Sequence, residues 1–236
     1  MTNDSYKTII SIGMRCFTEI FLKALGYKQF SGPFDAVFSS SIESIIDIFK
    51  NKFDENDFIY TEDLQDIDII KQLNEKHGFR TIHTKYNYDK TNPFITYHKA
   101  LLPHHNLKNK EAKDHFLRCF HRIEKIKTQK IKTLFCLFIH PDYANDGDIS
   151  FKDIETIRNY LIENFNCNLL VCKFKSTTHT YKWNKVYNQN NIIYIHINNS
   201  SHIFEENETV LHEIFDDLKI EKDNLLTYNE IDKIDI

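Results

Sequence analysis

Residues 133–139 read Thr-Leu-Phe-Cys-Leu-Phe-Ile, and from Leu134 onward no polar side chain interrupts them. A strand with one wet face alternates apolar and polar residues; this run does not, so it needs cover on both faces. Parallel strands roofed on each side by helices meet that need. The strand is expected from Ile131 to Ile139, and downstream the pattern continues with helix Phe151 to Phe165, strand Asn168 to Phe174, strand Ile192 to Ile197 and helix Glu208 to Leu218, which is the alternation of an α/β fold.

Upstream, a helix from about Lys110 to Lys127 carries Phe116, Phe120, Ile123 and Ile126 at helical spacing. The chain opens with the β-branched run Thr8-Ile9-Ile10-Ser11-Ile12, stopped by Gly13, and a helix from Cys16 to Leu25 ended by Gly26. Ser31-Gly32-Pro33-Phe34-Asp35 is rich in turn formers, and Ser39 to Ser41 cap a second helix with Ile42, Ile45, Ile46 and Phe49 on one side. Between Asp54 and Asn106 the periodicity weakens; it suggests a helix over Asp66 to Lys76 and strands near Arg80 to Thr84 and Phe94 to Tyr97. The expected architecture is a single three-layer, Rossmann-like α/β domain over residues 1–228 with a mostly parallel central sheet. An acidic tail, 229–236, is expected to fray.

Composition permits this. The 236 residues are 41% hydrophobic and 27% charged, enough for a core without disulfide staples. Basic residues number 30 against 34 acidic ones, which leaves no electrostatic footprint for nucleic acid. No apolar stretch approaches the ~18 residues of a membrane span, so no integral membrane partner is expected. The segment Thr8 to Ile12 is too short for a signal-peptide core, and the expectation is a cytoplasmic protein. Its five cysteines, at irregular spacing, read as reduced thiols. There is neither a His-Glu-x-x-His helix nor a Cys-x-x-Cys knuckle, and no Gly-Lys-Ser or Gly-Lys-Thr follows a strand. Neither a metal nor a cofactor is expected.

In open α/β sheets ligands gather beyond the carboxyl ends of the strands. The residues there are Gly13, Met14, Arg15 and Cys16 after the first strand, His140, Pro141 and Asp142 after the run ending at Ile139, and His196, Asn198 and Asn199 at the last strand. A thiol in the first turn of a helix feels unpaired N–H groups and the positive end of the dipole, which favours the thiolate a nucleophile needs. Arg15 beside Cys16 adds to that. The competing reading is a cysteine packed under the first helix. Two histidine groups can present an imidazole: His104-His105, in the approach to the Lys110 helix, and His140, at a strand end. Each also reads as an ordinary surface or capping residue.

Ile10-Ser11-Ile12-Gly13-Met14-Arg15-Cys16, then Leu25-Gly26-Tyr27 and Ser31-Gly32-Pro33-Phe34-Asp35-Ala36, resemble the opening of a poorly characterised family of papain-like cysteine peptidases. A second block also fits: Leu102-Pro103-His104-His105-Asn106, the helix with Arg118-Cys119-Phe120-His121-Arg122-Ile123, and the strand Thr133 to Ile139. The chain departs from the family pattern at Ala36, where a Trp is typical. The resemblance implies Cys16 as nucleophile and His104 or His105 as its base, and it brings in a papain-like α+β fold as the alternative architecture.

Two functions follow. In the first, a Cys16 thiolate attacks the carbonyl of a peptide or other acyl substrate, a histidine (His104, His105 or His140) moves the proton, Asp35 orients that histidine or shapes the pocket, and N–H groups after Gly13 hold the oxyanion. Gly13, Arg15, Pro33 and Phe34 would line the substrate site. In the second, the same cleft belongs to a transferase or binding protein of glycan or surface-polymer assembly, with Arg15, Phe34 and Asp35 touching a sugar or nucleotide-sugar and Cys16 only packing. Both place Gly13 to Cys16 and Pro33 to Asp35 around one cleft, and both have Asp35 accepting backbone N–H bonds that lock its turn.

Overall fold

The computed structural model describes residues 5–13, 16–35, 37–39, 41–51, 58–60, 95–97, 100–102, 109–140, 149–175, 183–198 and 205–234. The central sheet is built from β1 (Thr8–Ser11), β6 (Thr133–Ile139), β7 (Cys167–Phe174), β8 (Trp183–Gln189) and β9 (Ile192–Ile197), in the order β1-β6-β7-β9-β8. β1, β6, β7 and β9 are parallel; β8 is antiparallel to β9 on the outer edge. This is the mostly parallel α/β sheet that the apolar run at 133–139 demands, and every residue of β6 is buried.

Alternation along the strands sorts their side chains into two cores. Phe135, Leu137 and Ile139 of β6, with Ile10, Leu169 and Val171, meet the helices α2 (Ile42–Asn51), α3 (Lys110–Thr128) and α4 (Phe151–Asn164). Leu134, Cys136 and Phe138, with Ile9, Leu170 and Ile195, meet α1 (Phe17–Ala24) and α5 (Glu208–Asp217) on the opposite face. The layers are therefore helix, sheet, helix. The helices form where expected because their apolar positions recur at three and four residues, and caps end them: Ser150 makes a capping box with Asp153 at the start of α4.

Three features differ from the expectation. A second, antiparallel sheet joins β2 (Phe38–Ser39), β5 (Ala100–Leu102), β4 (Ile95–Tyr97) and β3 (Phe58–Tyr60), in that order. Only the strand near Phe94 to Tyr97 was anticipated from the sequence; the others are too short to show a period. β8 was also missed. The third difference is the tail: a short helix α6 (Tyr228–Asp232) stands where fraying was expected at 229–236. Ile231 is fully buried, and Arg122 Nε and Nη2 each donate to Asp232 at 2.8 Å. A buried isoleucine, a bidentate ion pair, a Thr227–Glu230 capping box and a bond from the Lys125 ammonium to Asp232 O hold five residues that composition alone makes look solvated. The expected helix at 66–76 and strand at 80–84 lie outside the described residues. Among the described residues no helix is long and apolar enough to cross a membrane.

Candidate active site

β1 runs to the carboxyl edge of the sheet and stops. Gly13 is buried there, its N–H 3.5 Å from Ser11 Oγ. Cys16 then takes the N-cap of α1 with helical backbone angles (φ −61°, ψ −11°), and its side chain does not cap the helix. The first helical bond is Ile20 N–H to Cys16 O at 2.9 Å, so the N–H groups of Phe17, Thr18 and Glu19 point out of the helix end.

Two contacts fix this turn against the sheet. Phe138 N–H donates to Thr18 Oγ1 at 3.1 Å, the bond that β1 would accept if it continued. Thr18 is fully buried, so the first turn of α1 is stitched to the centre of the sheet by a neutral hydrogen bond. Phe17, the residue after Cys16, packs its ring edge-on against His140, with centroids 5.2 Å apart. His140 follows β6 with the parity of Leu134, Cys136 and Phe138 and so falls on the α1 face, where Phe174 also meets it at 5.8 Å. It is fully buried. The sheet therefore brings His140 to the helix end that carries Cys16. His196 alternates to the other face beside Tyr194, and burial, with Lys175 and Lys173, lowers its pKa.

Cys16 is the one cysteine of five that is not buried. Burial pushes Cys119 and Cys167 up to about 12, and raises Cys136 and Cys172 well above the ordinary thiol range. Those four are thiols held in the core, with little thiolate to offer.

After Gly26, whose φ of +77° reverses the chain, the backbone passes from one core to the other. Tyr27 belongs to the α1 face, Phe30 and Phe34 to the opposite face. Phe34 is fully buried and packs its ring, tilted by 52°, against Phe49 with centroids 4.6 Å apart, and Phe49 reaches Phe135 of β6 at 6.0 Å. The Phe34 ring is thus occupied by core contacts rather than presented to a ligand. Pro33 is buried as well, and Gly32 sits against Ile10 of β1.

Asp35 closes this turn. Its Oδ2 accepts the Gly32 N–H at 2.7 Å and the Lys28 ammonium at 2.8 Å. Lys28 also pairs with Glu19 in the first turn of α1. Burial raises the Asp35 pKa to about 6, against the opposite pull of Lys28 and of the Gly32 N–H. The loop-locking bond expected of Asp35 is present; its hydrogen-bonding partners are Lys28 and Gly32, and no described histidine is among them. Beside the ion triad an open cleft of about 280 Å³ is lined by Glu19, Lys23, Lys28, Gln29, Phe30 and Ser31.

Sequence reasoning missed Thr18, Glu19, Lys28 and the contact between Cys119 Sγ and His115 Nε2 at 3.6 Å on α3. The last was open to discovery, since residues four apart share a helix face, but Cys119 is too deeply buried to act as an accessible nucleophile. Arg15, His104, His105, Pro141 and Asp142 lie outside the described residues, as do Met14, Ala36 and Asn199. Among the described residues no group of three His, Cys, Asp or Glu side chains is disposed to hold a metal ion.

One family matches the chain, "Putative papain-like cysteine peptidase (DUF1796)", over residues 7–174. No match was found among curated proteins or among solved structures. The matched region begins at the first strand and ends at β7, taking in Cys16, the Pro33-Phe34-Asp35 turn and His140. At a coarse level this supports a cysteine-hydrolase reading, and the chain belongs to the papain-like cysteine peptidase family so described.

Proposed function

We propose that the protein is a cysteine-nucleophile hydrolase or acyltransferase acting on an amide or ester, with Cys16 as the nucleophile. The observation that carries the reading is the contrast among the thiols: Cys16 alone reaches solvent, and it does so at a helix N-terminus on the carboxyl edge of a parallel sheet. Family membership supports the same chemistry.

In this reading the Cys16 sulfur adds to the substrate carbonyl carbon while a histidine takes the thiol proton. The outward N–H groups of the first turn of α1 stabilise the oxyanion. Collapse expels the amine or alcohol, which receives the proton from the imidazolium, and leaves a thioester on Cys16. Water then attacks the thioester in a hydrolase, an acceptor amine or hydroxyl in an acyltransferase, with the same histidine as base. The base is one of His140, His104 and His105. Support for His140 is its place against Phe17; support for the other two is the family pattern. Asp35 serves the site through its loop, by way of Lys28 and Gly32.

Iodoacetamide tests the reading. The folded protein should show a single rapidly alkylated thiol near neutral pH, identified as Cys16 by peptide mass spectrometry and lost in Cys16→Ser. Alanine at the true base should slow that reaction and move its pH profile to that of an unassisted thiol. Labelling that appears only on unfolding would overturn the proposal.

A further inference from the structure

We propose that Lys28 is a positioning residue for the Cys16 site, clamping the first turn of α1 to the Ser31–Asp35 loop around the edge of the sheet. This inference rests on the cysteine-nucleophile reading above.

β1 is an edge strand of the central sheet, and the chain crosses beside it from the α1 core to the opposite core between Tyr27 and Phe30. Lys28 lies in that crossing. Its backbone N–H bonds back to Leu22 O at 3.2 Å, which fixes its backbone against the last turn of α1. From there the ammonium pairs on one side with Glu19, three residues after Cys16, and on the other with Asp35 at 2.8 Å. All three side chains are largely withdrawn from water, at 13–15% exposure. An exposed lysine pair contributes little and is easily exchanged. Here the partners come from a helix and from a loop that itself closes through Gly32 N–H to Asp35 at 2.7 Å, so releasing the cation frees two elements at once.

The surroundings are specific. The groups within electrostatic reach of the clamp are Glu19 of α1, the Gly32 N–H of the loop, and Cys119 and His115 of α3, which also feel Arg118 and Arg122 of that helix. One cation thus serves two carboxylates. Burial holds the Asp35 pKa at about 6, so near neutral pH both carboxylates are ionised and share the one ammonium, and acidification below that value discharges the loop arm while leaving the helix arm. The result for chemistry is positional: the N–H groups and thiol at the head of α1 must sit within a fraction of an ångström of their working geometry, and a displacement of about 1 Å can cost on the order of a hundredfold in rate.

The test uses Lys28→Met, Lys28→Arg and Glu19→Gln in the full chain. Lys28→Met removes the clamp, and Glu19→Gln cuts only the helix arm, leaving Lys28 and Asp35 as a balanced pair in case Lys28→Met does not fold. Two readouts are taken at pH 7.5: amide hydrogen exchange of residues 17–20 and 32–35, and the rate and pH profile of Cys16 alkylation by iodoacetamide. For Lys28→Met the expected result is faster exchange in both segments with β6 unchanged and alkylation slowed by about tenfold or more; for Glu19→Gln it is faster exchange in 17–20 alone with slowed alkylation, and Lys28→Arg should behave as the parent in both readouts. Unchanged exchange overturns the clamp. Faster exchange with unaltered alkylation overturns the positioning role and leaves an ordinary buried ion pair. An inert Cys16 in the parent protein overturns the nucleophile reading and this role with it, and is recognisable before any variant is made.

Discussion

β6 and β1 are neighbours in the same parallel ladder, and both are wholly buried, yet they are held by different forces. β6 has a strand on each side and helices on each face, and its side chains alternate between two apolar cores. β1 lies at an edge, where the crossing at 27–35 runs beside it and an ammonium is shared by two carboxylates. The centre is secured by area removed from water, which is non-directional and large. The edge is secured by a few directional bonds, which fix positions but contribute little net energy. A nucleophile needs position more than depth, and Cys16 stands at the end of the edge strand.

The sharpest way to break this contrast is at the centre. Phe135 is fully buried, with Phe49 at 6.0 Å and Phe165 at 5.1 Å. Phe135→Ala should destabilise the fold by about 3–5 kcal/mol, the transfer and cavity terms together. Denaturant unfolding measures it. A loss under about 1 kcal/mol would mean that the core collapses around the gap and that apolar packing is not what holds the centre.

At the edge the corresponding effect depends on pH. The folded Asp35 carboxyl keeps its proton to about pH 6 because burial disfavours its charge, whereas an unfolded aspartate releases it near pH 4, at about 3.9. The stability this group contributes is therefore fully present below about pH 4 and lost as pH rises through 6. A shift of about two units is worth roughly 3 kcal/mol. Asp35→Asn cannot titrate, and its amide oxygen can still accept the Gly32 N–H. Parent and variant should differ in the slope of unfolding free energy between pH 4 and 7, the variant being the flatter and no less stable at pH 7.5. Parallel profiles would show that Asp35 titrates as an ordinary carboxylate.

The same division explains what was legible in the sequence. Leu134 to Ile139 announces a doubly covered strand because burial acts on every residue of it. The long helices announce themselves by period, and Gly13 with Gly26 bounds the unit that delivers Cys16 to the sheet edge. β8 escaped because Trp-Asn-Lys-Val-Tyr-Asn-Gln is half polar, as an antiparallel edge strand can be, and the small sheet escaped because strands of two or three residues carry no pattern. The tail differs from the expectation because composition averages out the buried Ile231, the capping box and the cations from α3 that order it. At the site, the turn chemistry of Ser31 to Asp35 foretold a carboxylate bonded to its own backbone. Lys28 could not be foretold. Its partners are nine residues before it and seven after, and no local rule joins those positions; only the crossing between the two cores does.

The smallest effect belongs to the bond that joins centre to edge. Thr18 Oγ1 accepts the Phe138 N–H at 3.1 Å inside the protein, at the point where β1 has ended and β6 runs on. Thr18→Val keeps shape and β-branching but removes the acceptor, leaving a buried N–H that neither water nor β1 reaches. The cost should be about 1–2 kcal/mol, the penalty for one unsatisfied buried donor rather than for a cavity. The consequence for Cys16 separates this bond from a merely stabilising one. With Thr18 two residues from the thiol, Thr18→Val should slow iodoacetamide alkylation of Cys16 as well, whereas Phe135→Ala, under conditions where it remains folded, should leave that rate alone. If the two variants change the alkylation rate equally, the centre and the edge are one cooperative unit, and the distinction between depth and position fails for this sheet.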